Sequence, residues 1–325
     1  MSAHHPSRRG ILSGAAALAS GLAAGTGPAQ AAAPMLGTQV APWYRFKVGE
    51  FEATVVSDGP LAIGPPADAF SGAPKEQLER DLSENFLAPD NLVLEQNALV
   101  VNTGRQLVLF DTGLGGLKLF GPTTGRLLAN LKLAGIEPSQ IDAVVLTHAH
   151  ADHCFALIGE TGQPNFPNAR VFLAQADFDF WTDESKASGA LKPFVEGARA
   201  NLLPLRDRTT FVTDGKEVVP GVTALSAPGH TVGHTIYRVD SGRETVMFTG
   251  DISHHHVLLL KRPKLEFAYD TDPQLAARSR IRVLDMLATD RVAFVSYHFP
   301  FPGVGHVAKA GEGYVWHPSP IKTLL

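Results

Sequence analysis

Thr147-His148-Ala149-His150-Ala151-Asp152-His153 places three imidazoles and a carboxylate within six residues, directly behind a short apolar run from Ala143 to Leu146. A run without alternation reads as a strand buried on both faces. The chain therefore leaves a sheet and enters a loop on which four donors can converge. Imidazole and carboxylate are the donor types that suit zinc and similar divalent ions. Their spacing divides them. His148 and His150, two apart in extended backbone, face the same way and can grip one ion. Asp152 and His153, at the start of the next element, point elsewhere and can grip a second. One histidine on a polar loop would mean little, but four ligand-type residues in this packing make a metal centre the stronger reading.

Around this loop the chain alternates strand and helix. Phe46 to Val56 and Ala98 to Phe110 are β-rich, with turns at Val48-Gly49-Glu50 and Thr103-Gly104-Arg105 that predict hairpins. Gly64 to Asn91 is rich in Pro, Asp and Ala and reads as a long surface excursion with one helix near Lys75 to Phe86. A helix is expected from Thr123 to Ala134, with Leu127, Leu131 and Ala134 on one face and Gly135 as its C-terminal cap. A strand at Val171 to Ala174 runs into a helix near Gln175 to Trp181. Strands follow at Val222 to Ser226, Thr235 to Val239 and Thr245 to Phe248. The last helix starts at Pro273 with Asp272 as its cap, carries a stripe of Ala277, Ile281, Leu284 and Ala288, and leads into the strand Val292 to Tyr297. Hairpins first and αβ units later predict an α/β (α+β) chain of two sheets with helices outside.

A chain of 325 residues, 44% hydrophobic and 18% charged, is long enough to bury a sizeable core as one catalytic domain. The formal net charge is −4, and no basic run or basic patch with interleaved aromatics is present. Nucleic acid and anionic membrane surfaces are thereby disfavoured as partners, and a small, mostly neutral molecule fits better.

The first 31 residues differ in kind. Arg8 and Arg9 are their only charges, an Ala/Gly/Leu-rich stretch runs to about Ala24, and Ala29-Gln30-Ala31 is a small-x-small cleavage pattern. This is the layout of a twin-arginine export signal, cleaved after Ala31, and it predicts a periplasmic or secreted protein. The stretch is too short and too diluted by Gly and Ser to span a bilayer, so no stable membrane anchor is expected. His4 and His5 would leave with the signal. Residues 32–43 read as a loose leader and residues 44–325 as the catalytic domain. The single cysteine, Cys154, precludes an intrachain disulfide and reads as a small buried hydrophobe beside His153.

The His148–His153 segment matches the HxHxDH signature of the metallo-β-lactamase superfamily. Pro228-Gly229-His230-Thr231-Val232-Gly233-His234-Thr235, Phe248-Thr249-Gly250-Asp251 and Ser296-Tyr297-His298 resemble its later motifs, in order, and Leu109-Phe110-Asp111-Thr112-Gly113 its upstream strand-end motif. The resemblance spans roughly residues 44 to 316. It implies an αββα sandwich of two mixed sheets packed face to face, and two divalent metal ions, zinc above all. His148, His150 and His230 would hold the first ion, Asp152, His153 and His298 the second, with Asp251 bridging. Such a pair lowers the pKa of a water to about 7, and Asp152 would move its proton to the leaving group. Asp111 would brace the metal loop and His234 would hydrogen-bond behind it. Aspartate at 251, where β-lactamases resembling this fold often carry Cys or Ser, disfavours antibiotic hydrolysis. Cys154-Phe155 departs from the small residues that commonly follow the DH pair. His254, His255 and His256 read as pocket-lining or structural, His306 as a brace for the loop after His298, and His317 as a surface residue.

Three longer segments resemble methyl parathion hydrolases and their lactonase and arylesterase relatives: Leu119-Phe120-Gly121-Pro122-Thr123-Thr124-Gly125-Arg126-Leu127, Phe178-Asp179-Phe180-Trp181, and His298-Phe299-Pro300-Phe301-Pro302-Gly303-Val304-Gly305-His306. Phe120 and Trp181 match aromatics that line an apolar mouth above the metals, although the residues alone would fit an ordinary core equally well. The implied function is a binuclear metal hydrolase acting on a neutral hydrophobic ester, lactone or organophosphate triester, acyl substrates ranking ahead of phosphotriesters. The resemblance also implies a homodimer. The alternatives are a mononuclear-iron oxidoreductase like the persulfide dioxygenases, a glyoxalase II-like thioesterase, and a binding protein without turnover.

Overall fold

The computed structural model describes residues 41–117 and 120–325. The expected export signal and most of the loose leader, in residues 1–40, lie outside the described residues, as does Leu119. Two seven-stranded sheets form the body, and in both the strands lie side by side in chain order. The first holds β1 (Trp43–Val48), β2 (Phe51–Ser57), β3 (Asn97–Asn102), β4 (Leu107–Phe110), β5 (Ala143–Val145), β6 (Arg170–Ala174) and β7 (Thr209–Val212). The second holds β8 (Glu217–Val219), β9 (Val222–Ser226), β10 (Thr235–Ser241), β11 (Glu244–Phe248), β12 (Ala293–Val295), β13 (Val304–Ala310) and β14 (Gly313–Pro318). β1 to β4 pair antiparallel, whereas β4 to β7 are parallel. Parallel neighbours need crossovers, and the metal-type loop lies in the one that leaves β5. Both sheets are mixed, because β11 and β12 are also parallel within an otherwise antiparallel second sheet.

One apolar cluster joins the sheets. Val55, Val100 and Leu109 of the first share it with Val239, Val246 and Val295 of the second, and the Phe110 ring lies 5.6 Å from Tyr237 and 5.4 Å from Phe248. Buried as they are, Ala143, Val144 and Val145 have no polar face to spare, as their continuous apolar run predicted. The α-helix Pro273–Asp290 covers the outer side of the second sheet through Val283, Leu284 and Leu287 packed on Ile236, Met247 and Phe294. Its N-cap is Asp272, whose carboxylate accepts from Leu275 N.

Three local expectations need correction. The buried stripe of that last helix runs through Ala276, Ser279, Arg280, Val283, Leu284 and Leu287, with Ala277, Ile281 and Ala288 only half-buried. Hydrophobicity misplaced it because a charged residue, Arg280, occupies an inward position and satisfies its guanidinium on carbonyls there. The helix expected from Thr123 begins at Leu127 and ends at Leu133. Asp58 holds the preceding residues in a turn, accepting from Gly125 N at 3.1 Å and Leu127 N at 2.7 Å, while Arg126 N donates to its carbonyl. The stretch from Gly64 to Asn91 is no mere surface excursion. Ala69, Phe70, Leu78, Leu82 and Leu92 form a second core with Leu258, Leu259, Leu265 and Phe267.

Candidate metal centre and substrate cavity

His148 and His150 stand on the loop behind β5, and Asp152 and His153 open a one-turn helix, Ala151–Cys154. The turn exists because His150 is extended and His153 N and Cys154 N both donate to its carbonyl. The other donors arrive from the second sheet: His230 between β9 and β10, Asp251 after β11, and His298 after β12. Donor atoms of His148, His150 and His230 come together, as do those of Asp152, His153 and His298. Asp251 lies between the trios. Its Oδ2 is 3.2 Å from both His230 Nε2 and His298 Nε2, and its Oδ1 is 3.3 Å from His153 Nε2.

What lies behind each ring decides which nitrogen faces inward. His153 Nδ1 donates to Asp111 Oδ2 at 2.8 Å, His298 Nδ1 to Glu95 O at 2.8 Å, and His230 Nδ1 to Asp270 Oδ1 at 2.8 Å. His148 Nδ1 lies 2.9 Å from Thr147 Oγ1, which in turn donates to Asp111. The Nε2 lone pairs are thus left for the centre, the arrangement that orients metal-ligating histidines. Asp111 also accepts from Thr147 N, so one buried carboxylate at the end of β4 fixes the start of the loop. His234 sits behind Asp251, accepting from its backbone N at 3.0 Å with Nε2 and donating to Ala227 O through Nδ1.

The donors fit metal better than they fit one another. His153 Nε2 and Asp251 Oδ1 are buried without a hydrogen-bond partner, and His148 Nε2 faces His230 Nε2 at 3.2 Å. Two imidazole nitrogens aimed at one point, beside orphaned nitrogen and oxygen atoms, are what a divalent cation would satisfy. Burial holds His148 and His150 well below the usual histidine range, and neighbouring imidazoles add to the effect, whereas the surrounding carboxylates outweigh burial and raise His153, His230 and His298, so a bound metal would displace protons from those three. Burial alone would raise Asp251, but His153, His298 and His254 outweigh it and keep the carboxylate ionised.

Five of these donors, His150, Asp152, His230, Asp251 and His298, form the floor of a cavity of about 420 Å³, and His148 and His153 are buried behind them. Its walls are apolar: Leu61, Ile63, Leu94, Phe120, Phe180, Trp181, Leu191, Phe194 and Phe267. Phe120 is half-buried at the rim, whereas Trp181 is buried and sets its ring edge-on to His150 at 4.9 Å. Among the described residues no lysine or arginine lines the cavity. Of the three consecutive histidines, His254 faces it, with Nε2 3.1 Å from Asp251 Oδ2 and its ring stacked on Phe267 at 3.8 Å. His255 turns away to accept from Val257 N and Leu258 N, and His256 packs against Phe299 and Trp316. His306 does not brace the His298 loop. It is exposed on β13 opposite His317, because inward positions of an antiparallel strand alternate with outward ones. Cys154 is fully buried. The departure at Phe155 is accommodated by Gly197, where even a Cβ would come within 2.2 Å of the Phe155 ring.

Sequence reasoning missed three buried aspartates. Asp177, on the helix Gln175–Thr182 that also carries Trp181, accepts from Ala149 N, Thr231 Oγ1 and Gly233 N and so staples the two loops bearing the first trio. Burial pushes it up to about 6, against those bonds. Asp58 and Asp270 are the others. A lone aspartate far from its partners leaves no local pattern to read.

The sequence pattern of the metallo-beta-lactamase superfamily matches residues 92–298, from the strand before β3 to the last histidine of the floor. The chain belongs to this superfamily. Its two mixed sheets are those of the fold, and the arrangement is that of a metal-binding hydrolase. A probable metallo-hydrolase of Mycobacterium bovis is 24% identical over 274 residues, covering 73% of this chain and 79% of the relative. An N-acyl homoserine lactonase of Bacillus cereus is 25% identical over 204 residues, 57% of this chain and 75% of its own. Among solved structures, AidC, a dizinc quorum-quenching lactonase in complex with a product, superposes with a TM-score of 0.81 at 28% identity over 86% of this chain and 98% of its own. The hydrolase AbOPH gives 0.80 at 31% identity, over 88% and 100%.

Proposed function

We propose that this protein is an exported binuclear metal hydrolase that acts on neutral, hydrophobic esters, with lactones as the leading substrates and aryl esters and phosphotriesters behind them. The observation that carries the reading is the cluster of seven donors, five of which line the bottom of a largely apolar cavity. His148, His150 and His230 would hold one ion, Asp152, His153 and His298 the other, and Asp251 both. Two divalent ions, zinc by preference, would supply Lewis acidity and an ionised water at neutral pH. The chain's own residues do the rest. Aromatic and aliphatic walls take the substrate's apolar body and exclude bulk water, which strengthens every charge interaction on the floor. Asp152 keeps 17% of its side chain exposed, against 3% for Asp251, and with Oδ2 turned to His153 and His298 it is the more open of the two floor carboxylates and the candidate to carry a proton to the leaving oxygen. His254, fixed on Asp251 and Phe267, presents a further polar group to a bound carbonyl.

The lactone preference is supported by the lactonases among the relatives and by a largely apolar wall, without lysine or arginine among the described residues, that suits an acyl chain. Purified mature protein should bind two divalent ions per chain and turn over lactones faster than thioesters or phosphotriesters in one panel. One iron per chain, with no hydrolysis of any ester, would favour the oxidoreductase alternative. Export is read from the Arg8-Arg9 leader. Efficient export of a variant with both arginines changed to lysine would contradict the twin-arginine route.

A further inference from the structure

Four of the ring-bearing donors have a partner behind them, but only two of those partners are carboxylates, one in each trio. Asp111 behind His153 belongs to the sheet scaffold at the end of β4. Asp270 behind His230 belongs to the wall of the substrate cavity, which residues 267–271 line. Both members of the second pair are buried, at 4% and 1% side-chain exposure. The backbone doubles the connection, since Thr271 N donates to His230 O and Asp272 N to Gly229 O, both at 2.9 Å. Gly229 cannot be replaced cheaply there: its φ is +129°, and a Cβ would fall 2.1 Å from Ala276 N.

Arg280 anchors the wall from beneath. Only 1% exposed, it donates from Nε to Ile252 O and from Nη1 to Pro263 O and Leu265 O, at 2.8 to 2.9 Å, and its Nη2 lies 3.7 Å from Asp270 Oδ2. A guanidinium buried this deeply is held because carbonyls and a carboxylate meet its donors. Ile252 follows Asp251 directly, so one side chain ties the wall, the bridging carboxylate's loop and the support of His230 together.

We propose that Asp270 is the positioning residue for His230 and that Arg280 fixes Asp270, so that the cavity wall and the first donor trio form one rigid unit. Asp270 holds the His230 ring with Nδ1 protonated and Nε2 aimed at the centre. A carboxylate behind a ligating histidine is worth about 10- to 100-fold in metal affinity. The inference rests on the metal reading of His148, His150 and His230.

The test is the rate at which the two-metal protein, loaded with cobalt, releases its ions to a chelator, followed through the visible cobalt spectrum. Asp270→Ala is expected to lose one of its two ions about 10- to 100-fold faster than wild type, with the other ion leaving at the wild-type rate. Asp270→Asn, which keeps an acceptor for His230 Nδ1, should recover most of the retention. A folded Asp270→Ala protein with both release rates and the cobalt spectrum unchanged overturns the proposal, even if its melting temperature has dropped. If the alanine variant does not fold, Asp270→Ser, whose hydroxyl is too short to reach His230 Nδ1, decides: release unchanged from wild type, with an unaltered spectrum, also overturns it, and faster loss of a single ion supports it. Wild-type protein that binds no divalent ion would instead sink the metal reading itself.

Discussion

The floor of the cavity and its walls are built on opposite terms. The floor is polar and over-determined: His153, His298 and His230 each have one nitrogen fixed from behind, and Asp251 touches donors from both trios. The walls are apolar and come from segments widely separated in the chain, among them Leu61, Phe120, Trp181 and Phe267. The floor therefore sets what chemistry is available and tolerates no change. The walls set what enters, and substitution there should alter preference while leaving chemistry intact.

The sharpest way to break this division is at Asp251. Asp251→Ala removes the carboxylate shared by both trios, several kcal/mol of charge stabilisation, so turnover should fall on the order of 10³-fold or more and bound metal should drop on elemental analysis. Retention of two ions with wild-type turnover would show the floor to be less determined than its contacts imply. Asp58 comes next, as the link that holds the Phe120-bearing segment to β2. Burial raises it to about 6 from 3.8, against three backbone hydrogen bonds from Leu114, Leu127 and Gly125. The native state then takes up a proton more readily than the unfolded chain, so this group favours folding below about pH 4, and that stabilisation is lost as the pH rises through about 6. The loss amounts to about 3 kcal/mol. Urea unfolding of wild type and Asp58→Asn from pH 4 to 7 should show a difference that shrinks by about that much, while a constant difference would count against a buried titrating carboxylate.

The wall predictions are smaller. Trp181→Ala should reduce kcat/KM for hydrophobic substrates by about 10- to 100-fold, the worth of a large apolar contact, with metal content unchanged. Loss of metal in that variant would mean that Trp181 supports His150 more than it binds substrate. Phe120→Ala, at a half-buried rim position, should cost only about 3- to 10-fold and mainly through KM. An equal loss for short and long acyl chains would argue that Phe120 is packing alone.

Contiguous features were legible. The order of hairpins and αβ units, the buried strand before His148, the Asp272 cap and the grouping of His148 with His150 all depend on neighbours within a few residues. Asp58, Asp177 and Asp270 were not legible. Asp177 reaches partners 28, 54 and 56 positions away, and Asp58 reaches partners 56, 67 and 69 away, mostly backbone N–H groups that carry no side-chain signature. The misplaced stripe of the last helix has a related cause, since Arg280 points inward only because carbonyls of Ile252, Pro263 and Leu265 surround it. His254 could not be told from His255 and His256 until Phe267 was seen to stack on it.

Composition, periodicity and the spacing of residues His148 to His153 determined that this chain would build two sheets and carry four metal-type donors on one loop, because strand and helix periods fix which way nearby side chains point, and the family resemblance supplied His230, Asp251 and His298. Only the tertiary structure decided which carboxylate stands behind which ring, and that the segment from Gly64 to Asn91 packs a second core against Phe267 in the cavity wall. Those contacts join residues far apart in the chain, and their geometry follows from how whole sheets and loops pack.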